Sequence, residues 1–125
     1  MKYSLSNTEQ MILERLWEIK KWTTGAEFWE YFNSKGKSSK RQTVNTYLAR
    51  MTEKGLLVKN GTAYMYAFTR EEYEQRRAKD ILDSMYHGSL KKFVAALNGA
   101  KRLNQQEKEE LKAYLDEQSY GEKEK

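Results

Sequence analysis

Apolar residues recur in two rhythms along this chain, and the switch between them divides it. Over residues 7–21, Ile12, Leu16 and Ile19 make a helical stripe that Leu13 and Trp17 widen. A second helix is predicted after Thr24, carrying Phe28, Trp29 and Phe32. A third carries Val44, Tyr47, Leu48 and Met51 at i, i+3, i+4 and i+7, with Gly55 just past its end. The rhythm then shortens. The stretch LLVKNGTAYMYAFT holds two runs rich in β-branched and aromatic residues around Asn60-Gly61, a pair that tolerates the positive φ of a type I′ hairpin turn. In the second run Tyr64, Tyr66 and Phe68 alternate with Ala63, Met65 and Ala67, one set to each face. From Arg70 the helical period returns in three narrow stripes. Ala78, Ile81, Leu82, Met85 and Tyr86 end near Gly88; Leu90, Phe93, Val94 and Leu97 end at Asn98-Gly99; Leu111, Tyr114 and Leu115 follow.

The chain has no proline, and helix starts are marked by Ser/Thr/Asn-x-x-Glu/Gln spacings instead: Ser6 with Glu9, Thr24 with Glu27, Ser39 with Gln42, Thr69 with Glu72 and Asn104 with Glu107. At this spacing the first side chain accepts from the amide three residues on, and the second reaches back to the cap amide. Three helices and a hairpin, in that order, predict a winged helix-turn-helix. We read the fold class as mainly α with a small β wing, with a winged-helix DNA-binding domain over residues 1–69 and a helical dimerisation domain over residues 70–125. The second part is too short to bury its three stripes by itself. Its apolar residues Ile81, Leu82, Met85, Leu90, Phe93, Val94, Leu97, Leu111, Tyr114 and Leu115 are therefore expected to face a second copy.

Composition narrows the chemistry. The 125 residues suit one small domain with an accessory segment, and three Trp, nine Tyr and four Phe argue for a folded chain. Without cysteine there can be no disulfide, thiolate metal site or cysteine nucleophile. No apolar run approaches the roughly 20 residues that cross a bilayer, and no signal-peptide core opens the chain, so a cytoplasmic protein without membrane insertion is expected. Enzymatic parts are missing as well. The one histidine, His87, lacks a sequence partner beside Gly88, and acid pairs such as Glu109-Glu110 have cations nearby, as on a solvated helix face. No catalytic residue, metal ligand or cofactor is predicted.

Charge does change the picture. Residues 1–69 hold 11 Lys/Arg against 6 Asp/Glu, whereas residues 70–125 hold 12 of each. Within residues 35–59, seven cations face a single acid, Glu53, which suggests a polyanion partner. On the third helix, Gln42, Thr46 and Ala49 lie opposite the apolar stripe, flanked by Thr43 and Arg50 on one edge and Asn45 on the other. Short amides and hydroxyls solvate a surface poorly but read base edges well. Lys40 and Arg41 stand at the positive end of that helix, and Lys59 and Asn60 stand at the wing turn. Tyr64 and Tyr66 could add phosphate contacts from their hydroxyls. Duplex DNA is the expected partner. A winged helix used for protein or RNA contact is the alternative, and exposed apolar anchors on the third helix would mark the protein-binding version.

The same residues resemble a known family, the penicillinase repressors. LSNTEQMILERLW resembles that family's opening helix, and QTVNTYLARMTEKG its recognition helix, with Thr43, Thr46, Arg50 and Lys54-Gly55 in place. YMYAFT and YHGSL are similar to its wing strand and to the glycine break in its arm. The resemblance implies a homodimeric transcriptional repressor on a dyad operator, with groove-reading positions matching Gln42, Thr43, Thr46 and Arg50. Gln42 stands where the penicillinase repressors carry lysine. Copper-responsive members use a cysteine cluster, which this chain lacks. β-Lactam-responsive members are released by a membrane sensor protease that leads to cleavage at an Asn-Phe bond; the matching pair here is Ala96-Leu97.

Overall fold

The computed structural model describes residues 3–123, with side chains up to residue 118. In chain order the elements are α1 (Asn7–Ile19), β1 (Thr23–Thr24), α2 (Gly25–Ser34), α3 (Arg41–Glu53), β2 (Leu57–Asn60), β3 (Ala63–Tyr66), α4 (Arg70–Tyr86), α5 (Leu90–Ala100) and α6 (Gln105–Lys123). This is a winged helix followed by helices, mainly α with a small antiparallel sheet.

Four of the five expected caps form as anticipated. Ser6, Thr24 and Thr69 each close a full capping box with the glutamate three residues on. Asn104 and Glu107 exchange the same pair of hydrogen bonds at the start of α6. The fifth does not form: α3 starts after Lys40, whose side chain makes no cap bond. Trp29 Nε1 donates to the Ser39 carbonyl at 2.8 Å, which pins the turn so that Ser39 falls one residue outside the cap. Ser89, which has no acid or amide three residues on, caps α5 by accepting from the Lys92 amide.

The wing also differs from expectation in its turn. Asn60 pairs with Ala63, so the two loop residues are Gly61 and Thr62. Among the described non-glycine residues only Lys20 and His87 have positive φ, while Gly61 lies at φ 63°. Positive φ at the first loop residue alone matches a type II′ turn, which asks for glycine there, rather than type I′. The sheet order is β1-β3-β2, and its third strand is only Thr23–Thr24, too short to leave a period in the sequence.

The core joins α1 (Ile12, Leu13, Leu16, Trp17), α2 (Phe28, Phe32), α3 (Val44, Leu48, Met51) and the sheet (Leu57, Tyr64), with Leu56 between α3 and β2. It also takes one residue from beyond the expected boundary at residue 69: Tyr73 of α4 is 8% exposed. Its hydroxyl donates to the Tyr3 carbonyl, and its ring lies 5.5 Å from that of Trp17. Trp17 Nε1 donates to the Phe68 carbonyl at 2.9 Å, and the Arg76 guanidinium lies 4.0 Å from the Phe68 ring centroid. The first turns of α4 are thus packed onto the winged helix. Beyond Tyr73, no side chain among the described residues is buried.

One polar link crosses the core's edge. Glu9, 7% exposed, completes the α1 capping box and also meets Lys54 Nζ at 3.0 Å, at the end of α3. Burial alone would raise the Glu9 carboxyl, but the Ser6 amide and the Lys54 ammonium outweigh it and hold the group below the ordinary carboxylate range. A carboxyl depressed in the folded state contributes stability that is present above its unfolded pKa and is lost as pH falls through the folded value. Glu9→Ala is expected to cost about 2 kcal/mol near neutral pH, the scale of a cap plus a charge-assisted hydrogen bond. Urea titrations of wild type and variant check this: the gap should narrow toward acid pH, and a gap constant down to acid pH would contradict it.

Candidate nucleic-acid interface

The orientation of α3 follows from its apolar side. Val44 and Leu48 sit against α2 and α1 at 1% and 0% exposure, and at about 100° per residue this turns the opposite face outward. Arg41, Gln42, Thr43, Asn45, Thr46, Ala49 and Arg50 are all exposed, as is the cap residue Lys40. Tyr47 lies at the edge, partly buried against the core.

Because no side chain caps α3, the Arg41 and Gln42 amides are open to an outside acceptor, while the Thr43 amide turns back to the Lys40 carbonyl at 3.0 Å, and Lys40 and Arg41 stand beside the open pair. A phosphate oxygen is a natural occupant of such a helix end. Thr46 Oγ1 donates to the Gln42 carbonyl at 2.9 Å, so its hydrogen is already engaged. What Thr46 offers outward is the γ-methyl and the oxygen lone pairs, which suit a thymine methyl or a base donor. Gln42 and Arg50 have no internal hydrogen-bond partner for their side chains among the described residues and can pair with adenine and guanine edges.

Between α3, the start of α2 and the wing lies an open groove of about 590 Å³, walled by Arg41, Asn45 and Ala49 on one side and by Lys59, Thr62 and Tyr64 on the other. It brings Asn45 and Lys59 to one place from 14 residues apart. Its floor is a residue that sequence reasoning missed, Gly25. A Cβ there would meet Asn45 Oδ1 at 2.4 Å, so the bare glycine lets the Asn45 carboxamide lie against the start of α2. The signal was a glycine directly after the Thr24 cap, where helices seldom need one.

The wing tyrosines are placed differently from one another. Tyr64 is 7% exposed and its ring is part of the core, with Lys59 Nζ 5.5 Å from the ring centroid. Tyr66 is partly buried. Asn60 is exposed at the end of β2.

The seven cations of residues 35–59 are not equivalent. Lys37 Nζ donates to Thr8 Oγ1 at 2.5 Å and lies 5.8 Å from the Phe32 ring, while Lys54 holds Glu9. Both hold the fold together, and Lys35, exposed at the end of α2, lies 5.8 Å from the Tyr31 ring centroid. Lys40, Arg41, Arg50 and Lys59 remain exposed around the reading face.

A polar, cation-flanked third helix beside a wing defines a winged helix-turn-helix transcriptional regulator. The family model described as penicillinase repressor matches residues 5–117, nearly the whole chain, and the chain belongs to that family of transcriptional repressors. No curated protein matches the chain.

Two measurements test the interface. With four phosphate contacts per protomer in a dimer, log K against log[salt] should slope near about −7, at about 0.9 per contact; a slope shallower than about −2 would exclude so many contacts. Gln42→Ala and Thr46→Ala should each lower discrimination between specific and scrambled duplex by about 1–3 kcal/mol while thermal unfolding stays unchanged. Unaltered preference in both would mean that another face enters the groove.

Proposed function

We propose that the chain is a homodimeric, cytoplasmic repressor that binds a dyad operator through α3 and the wing of each protomer. The observation that carries this is the exposed Gln42, Thr43, Asn45, Thr46 and Arg50 face. It is polar where a protein-docking helix would show apolar anchors, and it begins at the one helix start left without a side-chain cap among the described residues. Lys40, Arg41 and Lys59 supply phosphate contacts, with Asn60 and the hydroxyls of Tyr64 and Tyr66 at the wing.

The arm supports the dimer. Met85, Leu90, Leu97, Leu111, Tyr114 and Leu115 are between 42% and 58% exposed, and Ile81, Leu82, Phe93 and Val94 are only partly covered. The Tyr86 and Phe93 rings stack at 5.3 Å, which fixes α5 against α4 but leaves their apolar sides open. Such stripes gain about 25 cal/mol per Å² when a second copy covers them. In this reading the arm sets the spacing of two heads on the operator. Release belongs to the arm as well. Ala96-Leu97 lies exposed in the middle of α5, where a membrane sensor protease acting as inducer would trigger cleavage once the helix opens locally.

Sedimentation and gel shift test this together. The full chain should sediment as a dimer at micromolar concentration and shift duplex but not single-stranded probes. Leu82→Asp and Leu115→Asp should each place a charge in the interface, cost several kcal/mol, and give monomers with weakened duplex binding. A wild-type monomer, or unaffected variants, would show the arm to be misassigned; equal binding of single strands would favour RNA contact.

A further inference from the structure

Where the arm leaves the winged helix, the structure forms a second cleft of about 440 Å³, lined by Trp17, Lys20, Tyr66, Thr69, Arg70 and Glu71. It lies apart from the α3 groove, and it touches both parts of the molecule: the end of α1 and β3 on one side, the first turn of α4 on the other.

Its groups are differently committed. Trp17 Nε1 is held by the Phe68 carbonyl, and the Thr69 oxygen accepts the cap bond of α4. Lys20 Nζ and the Tyr66 hydroxyl have no hydrogen-bond or ion-pair partner among the described residues. Arg70 is held loosely: its guanidinium lies 4.8 Å from the Trp17 ring centroid and meets Glu14 at 3.8 Å, with both side chains about half exposed. The cleft therefore offers two cations able to take a new acceptor, beside two aromatic rings. Glu71, on the α4 side, repels a second negative charge.

From this we infer a ligand site at the head-arm junction for a planar aromatic monocarboxylate. The carboxylate sits between Lys20 and Arg70, as charge-assisted hydrogen bonding favours. The ring lies against Tyr66 and takes the place over Trp17 that the Arg70 guanidinium now covers. Thr69 and Glu71 form the far wall. Because Arg70 and Glu71 belong to the first turn of α4, occupancy shifts the joint that sets how each head is held relative to the arm. The site then biases the spacing of the two heads, a two-state coupling of ligand and DNA. That coupling rests on the DNA-binding function proposed above; the ligand site itself does not.

The test uses the full chain and 2-naphthoate as probe, with uncharged 2-naphthalenemethanol and non-aromatic cyclohexanecarboxylate as controls. Naphthoate should bind at one site per chain by calorimetry and change the tryptophan emission saturably, and both controls should bind far more weakly. Lys20→Gln and Arg70→Gln, first shown by circular dichroism to be folded, should each weaken binding about tenfold, the loss of one charge-assisted contact. No saturable binding at millimolar naphthoate, or equal binding in both variants, would overturn the site. A gel shift is read separately. Naphthoate should lower the duplex affinity of wild type but not of Arg70→Gln at the same concentration. Binding without any change in duplex affinity would overturn the coupling. Failure of the ligand-free chain to bind duplex would instead count against the proposed function, and calorimetry would still decide the site.

Discussion

The burial of Val44, Leu48 and Met51 against Phe28, Phe32, Ile12 and Leu16 is the constraint on which the rest of the head depends. All seven side chains are at most 1% exposed. An α-helix is a stiff cylinder, so seating three residues of one side in a close-packed core leaves no freedom for the other side. Turning α3 by a single residue would bring Leu48 toward water and Ala49 toward the core, at about 1.5–3 kcal/mol for each large apolar side chain exposed. The exposed polar face of α3 is thus oriented by residues that are themselves sealed in the core. Trp29 and Gly25 refine the same placement, one by pinning the turn before α3 and the other by letting Asn45 close on the start of α2.

Electrostatics is layered over that packing. A run of cations in the sequence looks like one footprint, but the fold separates it. Lys37 and Lys54 are engaged by Thr8 and by Glu9, Lys54 with its side chain still about half exposed, while Lys40, Arg41, Arg50 and Lys59 are exposed around α3 and the wing. The engaged pair ties α1 to the ends of α2 and α3, so the charge that fastens the helices and the charge left around the outer face of α3 are carried by different residues. Glu9 is the one buried acid among the described residues, and it faces a lysine rather than the groove.

The joint between head and arm is built of aromatic rings and arginines. Trp17, Tyr73, Tyr3 and Phe68 interlock, with Arg70 and Arg76 lying over two of them. The joint is buried at its centre, at Tyr73, and open at its rim, where the Arg70 side chain is half exposed. The α4-α5 turn is of a different sort. His87 and Gly88 both take positive φ there, and the Gly88 amide returns to the Leu82 carbonyl at 3.0 Å to end the helix. The joint is a packed cluster; the turn redirects the chain.

Helices, caps and the order of elements were legible in the residues alone, because stripes and capping boxes act between positions three or four apart. Ser6 with Glu9, Thr24 with Glu27 and Thr69 with Glu72 close as soon as the backbone turns, whatever the rest of the chain does. The outward side of α3 could be read the same way, since its apolar stripe marks the inward side. Other features depended on contacts across long separations, which no local pattern encodes. Lys37 meets Thr8 from 29 positions away, Lys54 meets Glu9 from 45, and Tyr73 reaches Tyr3 from 70. Only the folded path decided that those two lysines find partners on α1, that Tyr73 joins the core, that Ser39 misses its cap, and that Thr23–Thr24 becomes a strand by lying beside Ala63 and Tyr64.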